Sequence, residues 1–254
     1  MADFSLAGKK ALVTGASRGL GRHFAQVLAE AGADVALVAR DRAALDKAVS
    51  EIVKTGRRAA AVTVDVTKGE SVRQAFDAAE KALGGIDILV NNAGIAVSKP
   101  VLEHSEEDWD RVLDTDLKGA WLMTREAASR MIARKSGGRI VNIASLVGYR
   151  TARNVPGYAV AKAGLIHLTH ILAVEFARFG ITVNAIAPGY FETDLNRDFL
   201  NSAAGKAMAS RIPMGRTGNL PELDGALLLL ASAAGAYITG AVIPVDGGHG
   251  VGPA

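Results

Sequence analysis

The chain has no cysteine, so it can form no disulfide, offer no thiolate nucleophile and build no cysteine metal site. That absence suits a reducing compartment, and a cytoplasmic location is the expectation. Aromatic residues amount to only 5% of the sequence, and the two tryptophans, Trp109 and Trp121, fall in an apolar helical pattern that reads as packing rather than as a base-stacking platform. A formal net charge of +3 over 254 residues leaves no concentrated basic stripe, which argues against nucleic acid as the main partner. The short cluster Arg130, Arg134, Lys135 and Arg139 reads as a solvated helix end. No uninterrupted apolar run approaches the roughly 18 residues of a membrane span; the block at 226–234 is broken by Ser232. The first residues lack a positive leader followed by an apolar run, so no signal peptide is expected. The histidines, His23, His104, His167, His170 and His249, show no metal-ligand spacing, and no metal is expected.

What is present is rhythm. An apolar fraction of 49% with 22% charged residues suits a globular chain with a substantial core. Short β-branched runs at 10–14, 35–39, 60–64, 86–91, 139–143, 182–187 and 242–245 alternate with helical patterns at 21–31, 42–55, 70–83, 106–133, 157–179 and 221–234. Most of the runs are predominantly apolar, as strands of a parallel sheet covered on both faces should be. The alternation predicts an α/β fold: one doubly wound, Rossmann-type domain over 1–254, with about seven parallel strands and helices on both faces. The stretch 190–218 breaks the rhythm and is expected to be a substrate loop or lid.

The first strand runs into Thr14-Gly15-Ala16-Ser17-Arg18-Gly19-Leu20-Gly21 and then directly into a helix. Glycines there let the backbone approach a pyrophosphate, and the helix start offers unpaired N–H groups. A glycine-rich strand-to-helix turn is also favoured for steric reasons alone; its place in the first βα turn is what points to a dinucleotide. The second strand ends Ala39-Arg40-Asp41. An NAD site carries an acidic residue at that tip, which Ala39 cannot replace, whereas Arg18 and Arg40 suit a 2′-phosphate. The expected cofactor is therefore NADP(H), with Asp41 as the residue that would serve a ribose hydroxyl instead.

Tyr158 and Lys162 lie four apart on a predicted helix and so share a face. A free phenol titrates near ~10, so neutral-pH acid–base work needs its phenolate favoured, and an adjacent ammonium supplies that.

Taken with the glycine turn, Asp65 after the third strand, Asn91-Asn92-Ala93-Gly94 after the fourth, Ser145 after the fifth, Tyr158-x-x-x-Lys162, and Pro188-Gly189 with Thr193 after the sixth resemble the short-chain dehydrogenase/reductase family. The similarity runs the length of the chain, nearest to the bacterial 3-oxoacyl-thioester reductases and their sugar- and polyol-oxidising relatives. It implies a cofactor site made of Gly15, Ser17, Arg18, Gly19, Leu20, Gly21, Arg40, Asp65 with the Val66 backbone, Asn92, Ala93, Gly94, Tyr158, Lys162, Pro188, Gly189, Phe191 and Thr193. Asp65 would take the adenine amino group, Lys162 the nicotinamide ribose, and Pro188, Gly189 and Thr193 the carboxamide. Tyr158 would be the acid–base and Ser145 the donor to the substrate oxygen. Taken singly, Asp65 reads as a turn cap and Ser145 as a strand-end cap.

One position departs from the family. Asp116 stands where most members carry an asparagine that supports a water-mediated path to the lysine, and it falls on the apolar stripe of its helix. The expectation is that Asp116 still serves catalysis, facing Lys162 through a water; a carboxylate turned to solvent at a helix irregularity is the alternative.

Ile95–Ser98, 147–154 and the loop from Tyr190 should choose the substrate. The resemblance implies a 3-oxoacyl-thioester reductase, with a sugar or polyol (gluconate-type) dehydrogenase as alternative and a cofactor-binding regulator without turnover as the non-enzyme reading. An acyl-carrier-protein partner would dock on Arg130, Arg134, Lys135 and Arg178, and the resemblance implies a homotetramer built from the two long helices and the last strand with its tail, 247–252.

Overall fold

The computed structural model describes residues 3–193 and 197–252. Seven strands form one sheet: β1 (Lys10–Thr14), β2 (Asp34–Ala39), β3 (Ala59–Thr63), β4 (Ile88–Asn91), β5 (Gly138–Ile143), β6 (Ile181–Pro188) and β7 (Val242–Val245). Their order across the sheet is β3-β2-β1-β4-β5-β6-β7, every pairing parallel. Strand order reverses between β1 and β4, the switch point where an open α/β sheet leaves a crevice beyond the strand C-termini.

Side-chain alternation explains the layers. Ala11 and Val13 of β1, with Val35 and Leu37 of β2, face α1 (Gly19–Glu30), α2 (Arg42–Val53) and α9 (Asp224–Ala231). Leu12, Ala36 and Val38 face the opposite layer, α3 (Gly69–Leu83), α5 (Gly119–Arg134) and α6 (Pro156–Phe176). Phe24 in the first layer and Phe76 in the second are the largest fully buried side chains. The expected doubly wound sheet is what forms.

Two elements differ from expectation. The helix predicted over 106–133 is two helices, α4 (Glu106–Leu113) and α5, joined by a π-turn at Asp114–Lys118. One extra residue in that turn rotates the chain so that Asp116 points inward, fully buried, which helical periodicity alone does not show. The stretch 190–218 carries two short helices, α7 (Arg197–Asn201) and α8 (Ala203–Ala209), the latter capped by the Ser202 hydroxyl. Residues 194–196 of the expected lid, like 1–2 and 253–254 of the expected domain, lie outside the described residues.

The segment Pro156–Phe179 is long and apolar enough to cross a membrane by length and composition. In the fold it is a core helix, with Leu165, Leu172 and Ala173 buried against the sheet and its start set by Pro156 in the first turn. Trp109 and Trp121, expected as packing, are 40% and 39% exposed.

Candidate active site

A cleft of about 640 Å³ opens at the β1–β4 switch point. Its wall contains every residue expected to hold the cofactor or act on substrate except Asp116: the glycine turn, Arg18 and Arg40, Asp65 and Val66, Asn92–Gly94, Ser145, Tyr158, Lys162, Pro188, Gly189, Phe191 and Thr193. Ala39, Asp41, Ile95, Thr115, Ile143 and Tyr190 are among the others that line it.

The glycine end is built by close approach. The Asn92 amide donates to the carbonyl of Thr14 at 2.9 Å, and the Thr14 hydroxyl accepts from the backbone N–H groups of Asn92 and Ala93 at 2.9 Å each. These bonds lock β4's exit against the turn after β1. Gly15 has φ +65°, a left-handed conformation suited to glycine, and so does Gly19 at +55°. The start of α1 has no side-chain cap, so its first N–H groups face the cleft without an internal partner from Arg18.

At the adenosine end, Asp41 is committed elsewhere: its Oδ1 accepts from the Ala44 backbone N–H at 3.0 Å and caps α2. Arg18 and Arg40 are exposed on the cleft rim. Asp65 accepts from the Thr67 N–H at 3.0 Å and hydroxyl at 2.7 Å, both through Oδ1, so it does cap its turn while still lining the cleft. Burial pushes its carboxyl up, but the Thr67 hydrogen bonds and the charges of Lys68 and Arg40 outweigh that and hold it below the usual carboxylate value.

At the other end, Tyr158 and Lys162 do share one face of α6, with the Lys162 ammonium 5.4 Å from the centre of the Tyr158 ring. Lys162 is 4% exposed and donates to the Ile143 carbonyl at 3.0 Å. Ser145 begins the turn Leu146–Gly148, its hydroxyl accepting from Val147 N–H at 3.4 Å; a weak bond of this length leaves the hydroxyl available for a substrate oxygen. Asp116 is not across a water from Lys162. Its Oδ2 lies 3.2 Å from the ammonium, a direct ion pair, and its Oδ1 accepts from Ile95 N–H at 2.8 Å. The water-mediated arrangement expected from the sequence is thereby replaced, as is its alternative of a carboxylate turned to solvent.

A buried polar ladder that the sequence pattern did not predict lies beneath the site. The Asn91 amide donates to Asn142 Oδ1 at 2.9 Å and to the Thr124 hydroxyl at 2.8 Å, and the Asn142 amide donates to Thr169 at 2.9 Å. It ties β4, β5, α5 and α6 together at fixed height; polar residues at apolar-periodic positions such as Thr124 and Thr169 were the signal.

Of the basic cluster, Lys135 is exposed at the helix end as expected, whereas the three arginines are engaged. Arg130 contacts Glu80 and Asp77 at 2.7 Å each and Glu126 at 2.8 Å, and Arg134 contacts Glu80 at 2.6 Å. Arg139 is half-buried on β5, donating to backbone carbonyls. Among the described residues no group of histidines and carboxylates could hold a metal.

Comparison with known proteins follows the same lines. Residues 15–250 match the family model described as enoyl-(acyl carrier protein) reductase. A 2-dehydro-3-deoxy-D-gluconate 5-dehydrogenase of Escherichia coli is 40% identical over 252 residues, covering 98% of both chains. A 3-oxoacyl-(acyl-carrier-protein) reductase of Aquifex aeolicus is 41% identical over 250 residues, 97% of this chain and 99% of that one. The crystal structure of a gluconate 5-dehydrogenase from Burkholderia cenocepacia, in complex with NADP and tartrate, superposes with a TM-score of 0.93 at 38% identity, covering 98% of this chain and 97% of that one.

Proposed function

We propose that this chain, which belongs to the short-chain dehydrogenase/reductase family, transfers a hydride between NADP(H) and the secondary alcohol or ketone of a gluconate-type sugar acid. It is an oxidoreductase acting on CH–OH groups; the cofactor preference and the substrate are what the proposal adds. The observation that carries it is one cleft with Ser145, Tyr158 and Lys162 at one end and the glycine turn flanked by Arg18 and Arg40 at the other.

The residues fit the cofactor. A Cβ on Gly21 would meet the Gly15 carbonyl oxygen and Asn92 Nδ2 at 2.4 Å each, so α1 can start this close to the turn after β1 and to the exit of β4 only because that side chain is missing. Arg18 and Arg40 would pair with a 2′-phosphate, and Asp41, spent on capping α2, does not compete for a ribose hydroxyl. Bound NADP(H) supplies or accepts the hydride. The protein's part is electrostatic and protonic. Ser145 donates to the substrate oxygen and stabilises charge that grows on it. Tyr158 gives that oxygen a proton in reduction and removes it in oxidation. The Lys162 ammonium, held to the Ile143 carbonyl, places a positive charge 5.4 Å from the centre of the Tyr158 ring, beside the group that transfers the proton.

Two observations favour a polar acid substrate. Relatives similar over nearly the whole chain include gluconate-type dehydrogenases, one of them crystallised with tartrate, a small hydroxylated acid. Two of the four cations that would offer a basic docking face to an acyl carrier protein, Arg130 and Arg134, are already paired with Glu80, Asp77 and Glu126, leaving Lys135 and Arg178 exposed. The thioester reading, expected first from the sequence, keeps support from the similarity to the Aquifex aeolicus reductase. A regulator without turnover finds no support in a cleft whose catalytic trio is complete. For assembly, a homotetramer is supported by the apolar side chains left exposed on α6, Val160, Ile171 and Val174 at 48%, 43% and 81%; light scattering tests it. The functional test is parallel assay of gluconate-type acids with NADP⁺ and of a β-ketoacyl thioester with NADPH. A kcat/KM at least about a hundredfold higher for the sugar acid supports the proposal; the reverse ratio selects the thioester.

A further inference from the structure

Lys162 is a charged side chain taken almost wholly out of water, and such a charge is retained only with a partner. A backbone carbonyl, Ile143 O at 3.0 Å, is a dipole and does not balance it. The Asp116 carboxylate does lie against it, at 3.2 Å, and is itself 0% exposed. Three features pin that carboxylate in place. The π-turn at Asp114–Lys118 aims it inward. The Ile95 N–H holds Oδ1 at 2.8 Å. Gly94 leaves the space it occupies, since a Cβ there would stand 2.7 Å from Oδ2.

The tie of Oδ2 to Lys162 is this 3.2 Å contact between opposite charges. The groups around the pair are few. On α6 they are Lys162 and Tyr158; from the exit of β4 only backbone faces Asp116; on its own turn Asp114 is turned outward to Lys118 at 3.1 Å.

We propose that Asp116 is a positioning residue, the buried counter-ion that keeps Lys162 charged and aimed beside Tyr158. The proposal rests on the functional reading above for the role of Lys162, and on geometry for the rest. Burial opposes the charge on Lys162, while Asp116 and then Tyr158 favour it, and the balance holds the ammonium above the usual lysine value. Burial in turn raises the Asp116 carboxyl despite Lys162. The pair is mutually dependent: remove the carboxylate and the desolvation of Lys162 stands unopposed.

The sign follows directly. A neutral residue at 116 lets Lys162 lose its proton at lower pH, and above that pH the positive charge beside Tyr158 is gone. The test is Asp116→Asn, nearly the same shape and still able to accept from Ile95 N–H, in protein labelled with carbon-13 at the lysine ε-carbon. The Lys162 signal is identified by its loss in Lys162→Met, and titration is followed without cofactor or substrate. The expected result is a Lys162 midpoint lower by at least about one pH unit in Asp116→Asn. In turnover assays the same variant should show kcat falling about tenfold per pH unit above the new midpoint, with KM little changed. Asp116→Ser, smaller and equally neutral, serves if the asparagine variant does not fold. An unmoved Lys162 midpoint in a folded neutral variant overturns the proposal, whatever the activity does. A lowered midpoint in a protein that turns over no carbonyl or alcohol upholds this charge relationship and sinks the functional reading instead.

Discussion

The side-chain nitrogen of Asn92 stands where a methyl group on Gly21 would have to be: a Cβ there would come within 2.4 Å of it, and equally close to the Gly15 carbonyl oxygen. Neither neighbour is free to move, because the same Asn92 amide is bonded to the Thr14 carbonyl at 2.9 Å. The phosphate turn and the strand that carries Asn92–Gly94 are therefore one unit.

Gly21→Ala should accordingly destabilise the protein by about 1–3 kcal/mol through overpacking. It should also weaken NADPH binding at least about tenfold, because the turn must open where the pyrophosphate would approach. Thermal melts and fluorescence titration of NADPH measure the two effects; a variant with native melting and native affinity would contradict the close approach.

Tyr158→Phe deletes only a hydroxyl on a half-buried ring. Turnover should fall by about a hundredfold or more while NADPH affinity stays within a factor of about two. Calorimetric binding beside steady-state rates separates these, and a fully active variant would remove Tyr158 from the proton-transferring role.

Arg40→Ala and Arg18→Ala bear on cofactor choice. Each should raise KM for NADP⁺ by about tenfold, roughly 1.4 kcal/mol, and leave KM for NAD⁺ nearly unchanged. Equal losses with both cofactors would mean that the guanidiniums serve the pyrophosphate or the fold and not a 2′-phosphate.

Asp34, buried at the start of β2, should contribute to stability against acid. Burial pushes its carboxyl up, but hydrogen bonds from Arg58 and the charges of Arg57 and Arg58 outweigh burial and hold it below the ordinary 3.8. A depressed folded value means that its stabilisation is complete above about pH 4 and is lost as pH falls below 3.8 through the folded value. Asp34→Asn should cost about 1–3 kcal/mol at neutral pH and flatten the acid limb of the stability curve. Denaturant unfolding at several pH values reads both, and a variant with wild-type acid sensitivity would show that other carboxylates govern it.

The sequence by itself determined the layers and most of the cleft. Continuous apolar runs such as 35–39 demanded helices on both faces, and strict βα alternation with right-handed crossovers left essentially one topology. Once that topology is fixed, residues at strand C-termini must meet, which is why the glycine turn, Asn92–Gly94, Ser145, Pro188 and Gly189 converge from far-apart positions. Tyr158 and Lys162 needed only helical spacing. What the tertiary structure alone decided were partners. Periodicity placed Asp116 on an apolar stripe, but the π-turn set its direction and α6 supplied Lys162 at 3.2 Å. Arg130 read as a solvated cation until α3 brought Glu80 and Asp77 to it across some fifty positions. Asp41 looked available to a ribose until the start of α2 claimed it. Local pattern fixes which face a residue occupies; the charge it feels depends on groups distant in the chain, and those are brought to it only when the layers pack.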